Sequence, residues 1–289
     1  MSERRADLHT HSTASDGAAT PAVLIAQARQ VGLGTVALTD HDTMAGVAEA
    51  TTAGAAAGIT VVAGVELSAV EGDRETHVLG LHLGEPQLLA SALANLRAAR
   101  GRRAEAIVTA LRALGVGITL DNVLAAAGGG AVGRPHVARA LIAGGWARDQ
   151  RDAFDRYLAT GRPGYVPKER LTMADAIALV HQAGGIAVYA HPGRDGTRER
   201  LETLRDLGLD GVEVRHPSHN AEDEARLSAL ADFLGLVPSG GSDWHGALEG
   251  ARVLGAVTVP ESWVERQTDR AHRYRDAGGG TGAWTYAAG

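Results

Sequence analysis

The sequence contains no cysteine. That excludes disulfides, iron–sulfur clusters, thiolate zinc sites and cysteine nucleophiles together. Aromatic residues make up only 4% of the 289 positions, too few for a stacking platform along single-stranded nucleic acid. Lysine is nearly absent, since all the basic residues except Lys168 are arginine. There is no uncharged apolar run of about 18 residues, so no membrane span is expected. The amino-terminal MSERRADLHTHS lacks the apolar segment of a secretory leader, which makes a cytoplasmic location the expectation. No GxSxG motif occurs, which excludes that serine nucleophile elbow. Gly128-Gly129-Gly130 lacks the GK[ST] of a phosphate loop.

Histidine and carboxylate are plentiful instead. The chain has 12 His and 34 acidic residues, so any metal must be held by nitrogen and oxygen. The length fits one large domain or a large domain with a smaller companion, and 45% hydrophobic residues can fill a core. Charge is uneven. Residues 86–170 carry 13 basic and 6 acidic side chains, a net of +7, while the rest of the chain has a net of −13. A cationic wall facing an anionic substrate is one reading of this asymmetry, and solvated arginine on helix surfaces is the other.

Short apolar runs alternate with helical patterns. Strands are expected at residues 35–39, 59–63, 77–83, 186–190, 211–214, 236–239 and 256–259. Helices are expected at 21–31, 43–57, 172–183, 197–207 and 221–234, the first opened by Thr20-Pro21. The continuous apolar runs suit parallel strands buried on both faces, and the rhythm reads as repeated βα units. Seven or eight such units would close into a barrel. Residues 86–170 break the rhythm. Leu89, Leu93, Leu96, Ile107, Leu111 and Leu114 mark an amphipathic helix of nearly thirty residues. Further helices are expected near 119–127, 134–144 and 149–159. Residues 1–85 and 171–277 are therefore expected to form the α/β barrel, with 86–170 a basic helical insertion covering the active site. Gly-rich residues 278–289 are expected to be a loose tail.

The candidate ligands recur at strand ends, where a barrel of this type builds its active site. Asp7-Leu8-His9-Thr10-His11 ends the first apolar stretch and Thr39-Asp40-His41-Asp42 the second. Glu66, His191, His216 and Ser242-Asp243-Trp244-His245 follow later strands. His9 and His11 are two residues apart, so on an extended chain both point the same way, and Asp243 and His245 repeat that spacing. His77 shares a face with Leu79 and Leu81, whereas His82 takes the other face. His77 is therefore the candidate and His82 is not.

DLHTHSTASDG at 7–17, TDHD at 39–42, Glu66, AHP at 190–192 and GSDWH at 241–245 resemble the motifs of the PHP (polymerase and histidinol phosphatase) family. The resemblance implies a distorted (β/α)7 barrel, a site for three divalent metal ions (Mn, Fe or Zn) and hydrolysis of phosphate esters. Carried over motif by motif, His9, His11, Glu66 and Asp243 would hold one metal. Glu66 would bridge to a second with His77 and His191, and Asp16, His41 and His245 would hold the third. The helical insertion with GRPHVARAL at 133–141 resembles the subgroup acting on nucleotides, which includes 3′,5′-bisphosphate nucleotidases and trimmers of short RNA 5′ ends.

The expected reaction is attack of a metal-held hydroxide on phosphorus. Asp16 and His41 stand near the chemistry but are assigned to metal. His216 is the candidate acid or phosphate donor, with His219 and His136 as weaker substrate contacts. Arg134, Lys168 and Arg194 are the candidate phosphate-binding cations, because guanidinium pairs with phosphate through two parallel hydrogen bonds. The expected partner is a small phosphorylated nucleotide or short oligonucleotide. No membrane, long nucleic acid or obligate protein partner is expected. Histidinol-phosphate hydrolysis, an amidohydrolase with a carboxylated lysine, and a non-catalytic metal-binding accessory of a polymerase are the competing readings. Lys168, the one lysine, lies in the insertion and argues against the carboxylated-lysine version.

Overall fold

The structure is a computed structural model that describes residues 4–72, 74–127, 132–167 and 171–276. Lys168 and the 278–289 segment lie outside the described residues. The first half of the chain runs β1 (Arg5–Asp7), α1 (Pro21–Gln30), β2 (Thr35–Leu38), α2 (Val47–Ala57), β3 (Thr60–Ala63), β4 (Val65–Glu71) and β5 (Arg74–Leu81). Four helices follow: α3 (Pro86–Ala113), α4 (Leu120–Ala127), α5 (Arg134–Ala143) and α6 (Gln150–Ala153). The second half runs β6 (Leu171–Thr172), α7 (Met173–Gln182), β7 (Ile186–Tyr189), α8 (Arg198–Asp206), β8 (Gly211–Arg215), α9 (Ala221–Leu234), β9 (Val237–Gly240), β10 (Val259–Pro260) and α10 (Glu261–Asp276).

Among the described residues the chain separates into two compact units, one formed by those within 4–91 and 171–276 and the other by those within 92–167. In the first unit one sheet has the order β10-β1-β2-β3 and the other β6-β4-β5-β7-β8-β9. Two seams join them. Leu8 N donates to Gly240 O at 3.2 Å, tying β1 to β9. His41 bridges Glu66 in parallel, tying the end of β2 to β4. The ring of strands is thus β1, β2, β3 continued as β4, β5, β7, β8 and β9, a distorted seven-position barrel. Gly64 sits where β3 passes into β4, and a Cβ there would lie 3.0 Å from Leu38 O and 3.1 Å from Gly80 O. Apolar side chains from these strands, among them Leu8, Ala37, Val62, Leu79, Val188 and Val237, fill the core. Burial on both faces explains why the strands read as unbroken apolar runs.

Sequence features set the helix starts. Thr20 accepts a hydrogen bond from Val23 N and places Pro21 at the first helical position of α1. Asn220 accepts from Glu222 N and Asp223 N at the start of α9. The second unit is helical, with its own core of Ile107, Leu111, Val123, Val137, Leu141 and Leu158. After Ala153, α6 passes into a π-helical turn at Phe154–Leu158.

Three features differ from expectation. Glu66 does not end the strand at 59–63. It lies in its own strand β4, which pairs antiparallel with β5 over Val65–Glu71 and Arg74–Gly80. β5 also runs antiparallel to β7, so the sheet is not wholly parallel. A sixteen-residue helix, α10, closes the described chain where none was expected. Among the described residues, no helix is long and apolar enough to cross a membrane.

Candidate metal centre

The reversed direction of β5 explains how His77 reaches the site. The other site residues follow the carboxyl ends of parallel strands, except Glu66, the second residue of β4. In an antiparallel strand the amino-terminal part lies at that same end, and His77 is the fourth residue of β5. Six histidines, His9, His11, His41, His77, His191 and His245, gather there with Asp16, Glu66 and Asp243.

Glu66 is the hub. It is 1% exposed, and its two oxygens face different histidines. Oε2 lies 3.2 Å from His9 Nε2, 3.3 Å from His11 Nε2 and 3.3 Å from His41 Nδ1. Oε1 lies 2.9 Å from His77 Nδ1 and 3.1 Å from His191 Nε2, and those two nitrogens are 3.3 Å apart. Asp243 Oδ1 faces His9 Nε2 at 3.4 Å and His11 Nε2 at 3.3 Å. Asp16 lies further out, with Oδ1 3.3 Å from His245 Nε2 and Oδ2 3.9 Å from His41 Nε2.

These groups suit cations. His9, His11, Glu66 and Asp243 offer ligand atoms within 4.8 Å of one another, as do His11, Asp16, His41 and His245. His11 is fully buried with Nε2 3.3 Å from both Glu66 Oε2 and Asp243 Oδ1, yet neither ring nitrogen makes a well-aligned hydrogen bond. A buried imidazole without a well-aligned hydrogen bond is costly unless a cation takes its lone pair. Nitrogen and carboxylate donors without thiolate match Mn, Fe(II) or Zn.

The electrostatics report the same crowding. Burial alone would raise the Glu66 pKa, but His9, His11, His191 and His77 pull it well below the usual carboxylate range. Burial opposes the His9 cation, while Glu213 and Glu66 outweigh it and raise that imidazole well above its ordinary value. Two residues of the cluster also hold left-handed backbone, His191 at φ 31° and Asp243 at φ 49°. Such conformations in non-glycine residues cost about 1 kcal/mol or more and concentrate at functional sites.

The motif carboxylates outside the cluster act as braces. Asp7 accepts from Ser242 N at 2.9 Å, Ser242 Oγ at 2.6 Å and Gly255 N at 3.0 Å, fastening β1 to the 241–255 loop. Burial pushes Asp7 up to about 6 against those hydrogen bonds. Asp40 accepts from Ser12 N and Ser12 Oγ at 2.7 Å each and from Ser15 Oγ at 2.6 Å. Asp42 accepts from Ser68 N at 2.9 Å. Gly241 packs against the first motif so closely that a Cβ would lie 2.4 Å from His9 N.

Sequence reasoning missed Glu213. It is fully buried in β8, accepts from His191 N at 2.7 Å and lies 3.0 Å from His9 Nδ1. The available signal was a charged residue inside the apolar run Gly211–Val214. It also missed Arg252, whose Nη1 pairs with Asp243 Oδ2.

The expected substrate residues lie in several places. His216 is 2% exposed, with Nε2 3.3 Å from Asp243 Oδ2 and Nδ1 2.6 Å from Ser218 Oγ. Burial lowers its pKa. His219 uses Nδ1 on Val214 O and Nε2 on Gly193 N, both main-chain groups, and so holds a loop. Arg194 lines an open cavity of about 640 Å³ with Arg198, Asn220 and Arg226. In the helical unit, Arg134 Nη1 donates to Leu158 O at 3.1 Å and its guanidinium lies 5.7 Å from the Phe154 ring and 5.6 Å from the Tyr165 ring. His136 Nδ1 accepts from Gly133 N at 2.9 Å, capping α5. His82 stays outside the cluster, against Gln267.

Known proteins are similar to this chain over most of its length. The PHP domain model matches residues 7–114. A 3′,5′-nucleoside bisphosphate phosphatase from Chromobacterium violaceum is 39% identical over 86% of this chain and 90% of its own length. A 5′-3′ exoribonuclease from Escherichia coli is 37% identical over 83% of this chain and 84% of its own. A phosphoribosyl 1,2-cyclic phosphate 1,2-diphosphodiesterase from Eggerthella lenta is 35% identical over 83% of this chain and 94% of its own. Among solved structures, one from Bifidobacterium adolescentis assigned as a metal-dependent phosphoesterase is 37% identical, with a TM-score of 0.66 over 92% of this chain and 96% of that one. Another, an amidohydrolase from Chromobacterium violaceum with bound sulfate and no metal, is 34% identical, with a TM-score of 0.65 over the same shares. The chain belongs to the PHP domain family and is a metal-dependent phosphoesterase, a hydrolase of phosphoric esters.

Proposed function

We propose that the chain hydrolyses a phosphate ester of a nucleotide, such as a 3′,5′-bisphosphate nucleotide, or of a short oligonucleotide 5′ end, using three divalent metals. The observation that carries this reading is the division of Glu66, whose two oxygens serve separate sets of imidazoles. His9, His11, Glu66 and Asp243 would hold one ion, Glu66 with His77 and His191 a second, and Asp16 with His41 and His245 a third. Closely spaced divalent ions supply an activated water and a clamp for phosphate oxygens.

The chain's own residues do the rest. Glu213 orients His9 through Nδ1 and His191 through its main chain. Asp16, whose side chain is 56% exposed, and His41 stand at the open side of the cluster, where a leaving alkoxide would take its proton. The basic helical segment 86–170 would supply Arg134, His136 and Lys168 to the remaining phosphate and sugar, with Arg194 as a further cation. The nucleotide substrate class rests on the phosphatase and exoribonuclease relatives and on this basic segment. Small phosphorylated nucleotides would be met in the cytoplasm.

The test is a parallel assay of the metal-loaded full chain on a 3′,5′-bisphosphate nucleotide, a short 5′-phosphorylated oligoribonucleotide and histidinol phosphate. Turnover of either nucleotide substrate at least about tenfold faster than histidinol phosphate is expected, and the reverse order would overturn the nucleotide reading. The ratio of mononucleotide to oligonucleotide turnover separates single phosphate release from successive trimming.

A further inference from the structure

We infer that Arg252 is a phosphate-positioning residue of the barrel unit: its guanidinium, held on the outer oxygen of Asp243, receives an oxygen of the substrate phosphate and of the phosphate product. The inference rests on the phosphoester reading above.

Asp243 has two faces. Oδ1 points inward to His9 Nε2, His11 Nε2 and His245 Nδ1, at 3.4, 3.3 and 3.5 Å. Oδ2 points the other way, to His216 Nε2 at 3.3 Å and to Arg252 Nη1. A cation held by Oδ1 and the imidazoles therefore leaves the Arg252 contact in place. His216 is buried beneath the carboxylate, whereas the Arg252 side chain is 48% exposed. Among the described residues, Nη1 to Asp243 is the one ion pair of this guanidinium. A guanidinium has five N–H donors in a planar fork, so one used on a carboxylate leaves others for a second anion.

The loop that carries Arg252 is built to place it. Trp244 Nε1 donates to Ala247 O at 2.9 Å at one end. At the other end Gly255 N donates to Asp7 Oδ2 at 3.0 Å, and the same Asp7 holds Ser242 beside Asp243. Gly246, Gly250 and Gly255 take left-handed backbone at φ 113°, 90° and 73° and shape the turns between those anchors. The loop thus returns a cation to the carboxylate nine residues earlier in the chain. The guanidinium is thus fixed on the outer oxygen of a carboxylate whose other oxygen faces the candidate metal ligands, and its remaining N–H donors would be offered to an anion held there. Charge-assisted, planar pairing is the usual way a protein holds a phosphoryl group in one orientation.

The experiment compares the metal-loaded full chain with Arg252→Met and Arg252→Lys. Binding of inorganic phosphate is measured by calorimetry and metal content by elemental analysis of the same samples. Arg252→Met is expected to weaken phosphate binding by about tenfold or more with metal content per chain unchanged, and Arg252→Lys to recover part of the loss. Unchanged phosphate affinity in Arg252→Met overturns the inference. So does a loss that merely follows the loss of metal, because Arg252 would then act only as a brace for Asp243. Failure of the phosphoester reading shows elsewhere, as a wild-type chain that binds phosphate but turns over no phosphate ester.

Discussion

The Nδ1 atom of His9 lies 3.0 Å from the buried Glu213 carboxylate, while Nε2 of the same ring faces Glu66 at 3.2 Å. One nitrogen is thus oriented by the other. A carboxylate behind a ligating imidazole fixes the tautomer and raises the basicity of the nitrogen in front. Glu213 also accepts from the main chain of His191, which sits at φ 31°, and so helps hold a second member of the cluster in an unfavourable conformation. Glu213→Gln keeps the size of the side chain and removes its charge. It is expected to lower metal affinity by about tenfold to hundredfold. Metal retained after dialysis against graded chelator measures this, and retention equal to wild type would refute the orienting role.

Glu66 invites a comparison between two variants. If its two oxygens serve two ions, Glu66→Ala removes a ligand from both, whereas His77→Ala removes one ligand from one. Elemental analysis under limiting metal should then show a loss of about one ion per chain in His77→Ala and of more than one in Glu66→Ala. Equal losses in the two variants would argue that Glu66 does not bridge.

Much of the site was legible because ligand spacing survives folding. His9 and His11, two residues apart, have ring centroids 5.1 Å apart, and Asp243 and His245 both reach the cluster from one loop. Strand direction was less legible. Apolar runs such as Val78–Leu81 look alike in parallel and antiparallel strands, since both are buried in a barrel wall. The signal for reversal lay in Glu71-Gly72, where Gly72 at φ 58° turns β4 into β5. Glu213 was hidden because strand patterning says which face a residue takes, not what faces it across a barrel. Asp40 and Asp42 sit beside His41 in sequence yet hold Ser12 and Ser68, with Asp42 in left-handed backbone at φ 49° that strand patterning does not describe.

Arg134 tests the substrate side. In the helical unit its guanidinium already meets Leu158 O and the faces of Phe154 and Tyr165, so it is an ordered cation. Arg134→Ala is expected to reduce kcat/KM on nucleotides by about tenfold or more, as for loss of a charge-assisted contact, with metal content unchanged. A thermal midpoint recorded on the same sample distinguishes this from local unfolding. Full activity in Arg134→Ala would remove it from the substrate site.

His82 predicts a pH effect on stability away from the metal centre. The residue is 9% exposed at φ 55°, its Nε2 is 3.2 Å from Gln267 Oε1, and Arg275 and His272 lie close enough to oppose a proton. Burial pushes the imidazole down to about 4. The unfolded chain takes up a proton near the ordinary value of about 6.5, and the folded chain does so only near 4. The unfolded state therefore binds more protons between those values, and stability falls as pH drops through that window while staying level above it. At pH 5 the loss attributable to this group is about 2 kcal/mol. His82→Asn tolerates left-handed backbone and does not titrate. Urea midpoints for wild type and variant, measured with chelator at pH 7.5 and pH 5, should show wild type losing its advantage by about that amount at the lower pH. A gap that stays constant between the two pH values would mean that His82 does not titrate between them.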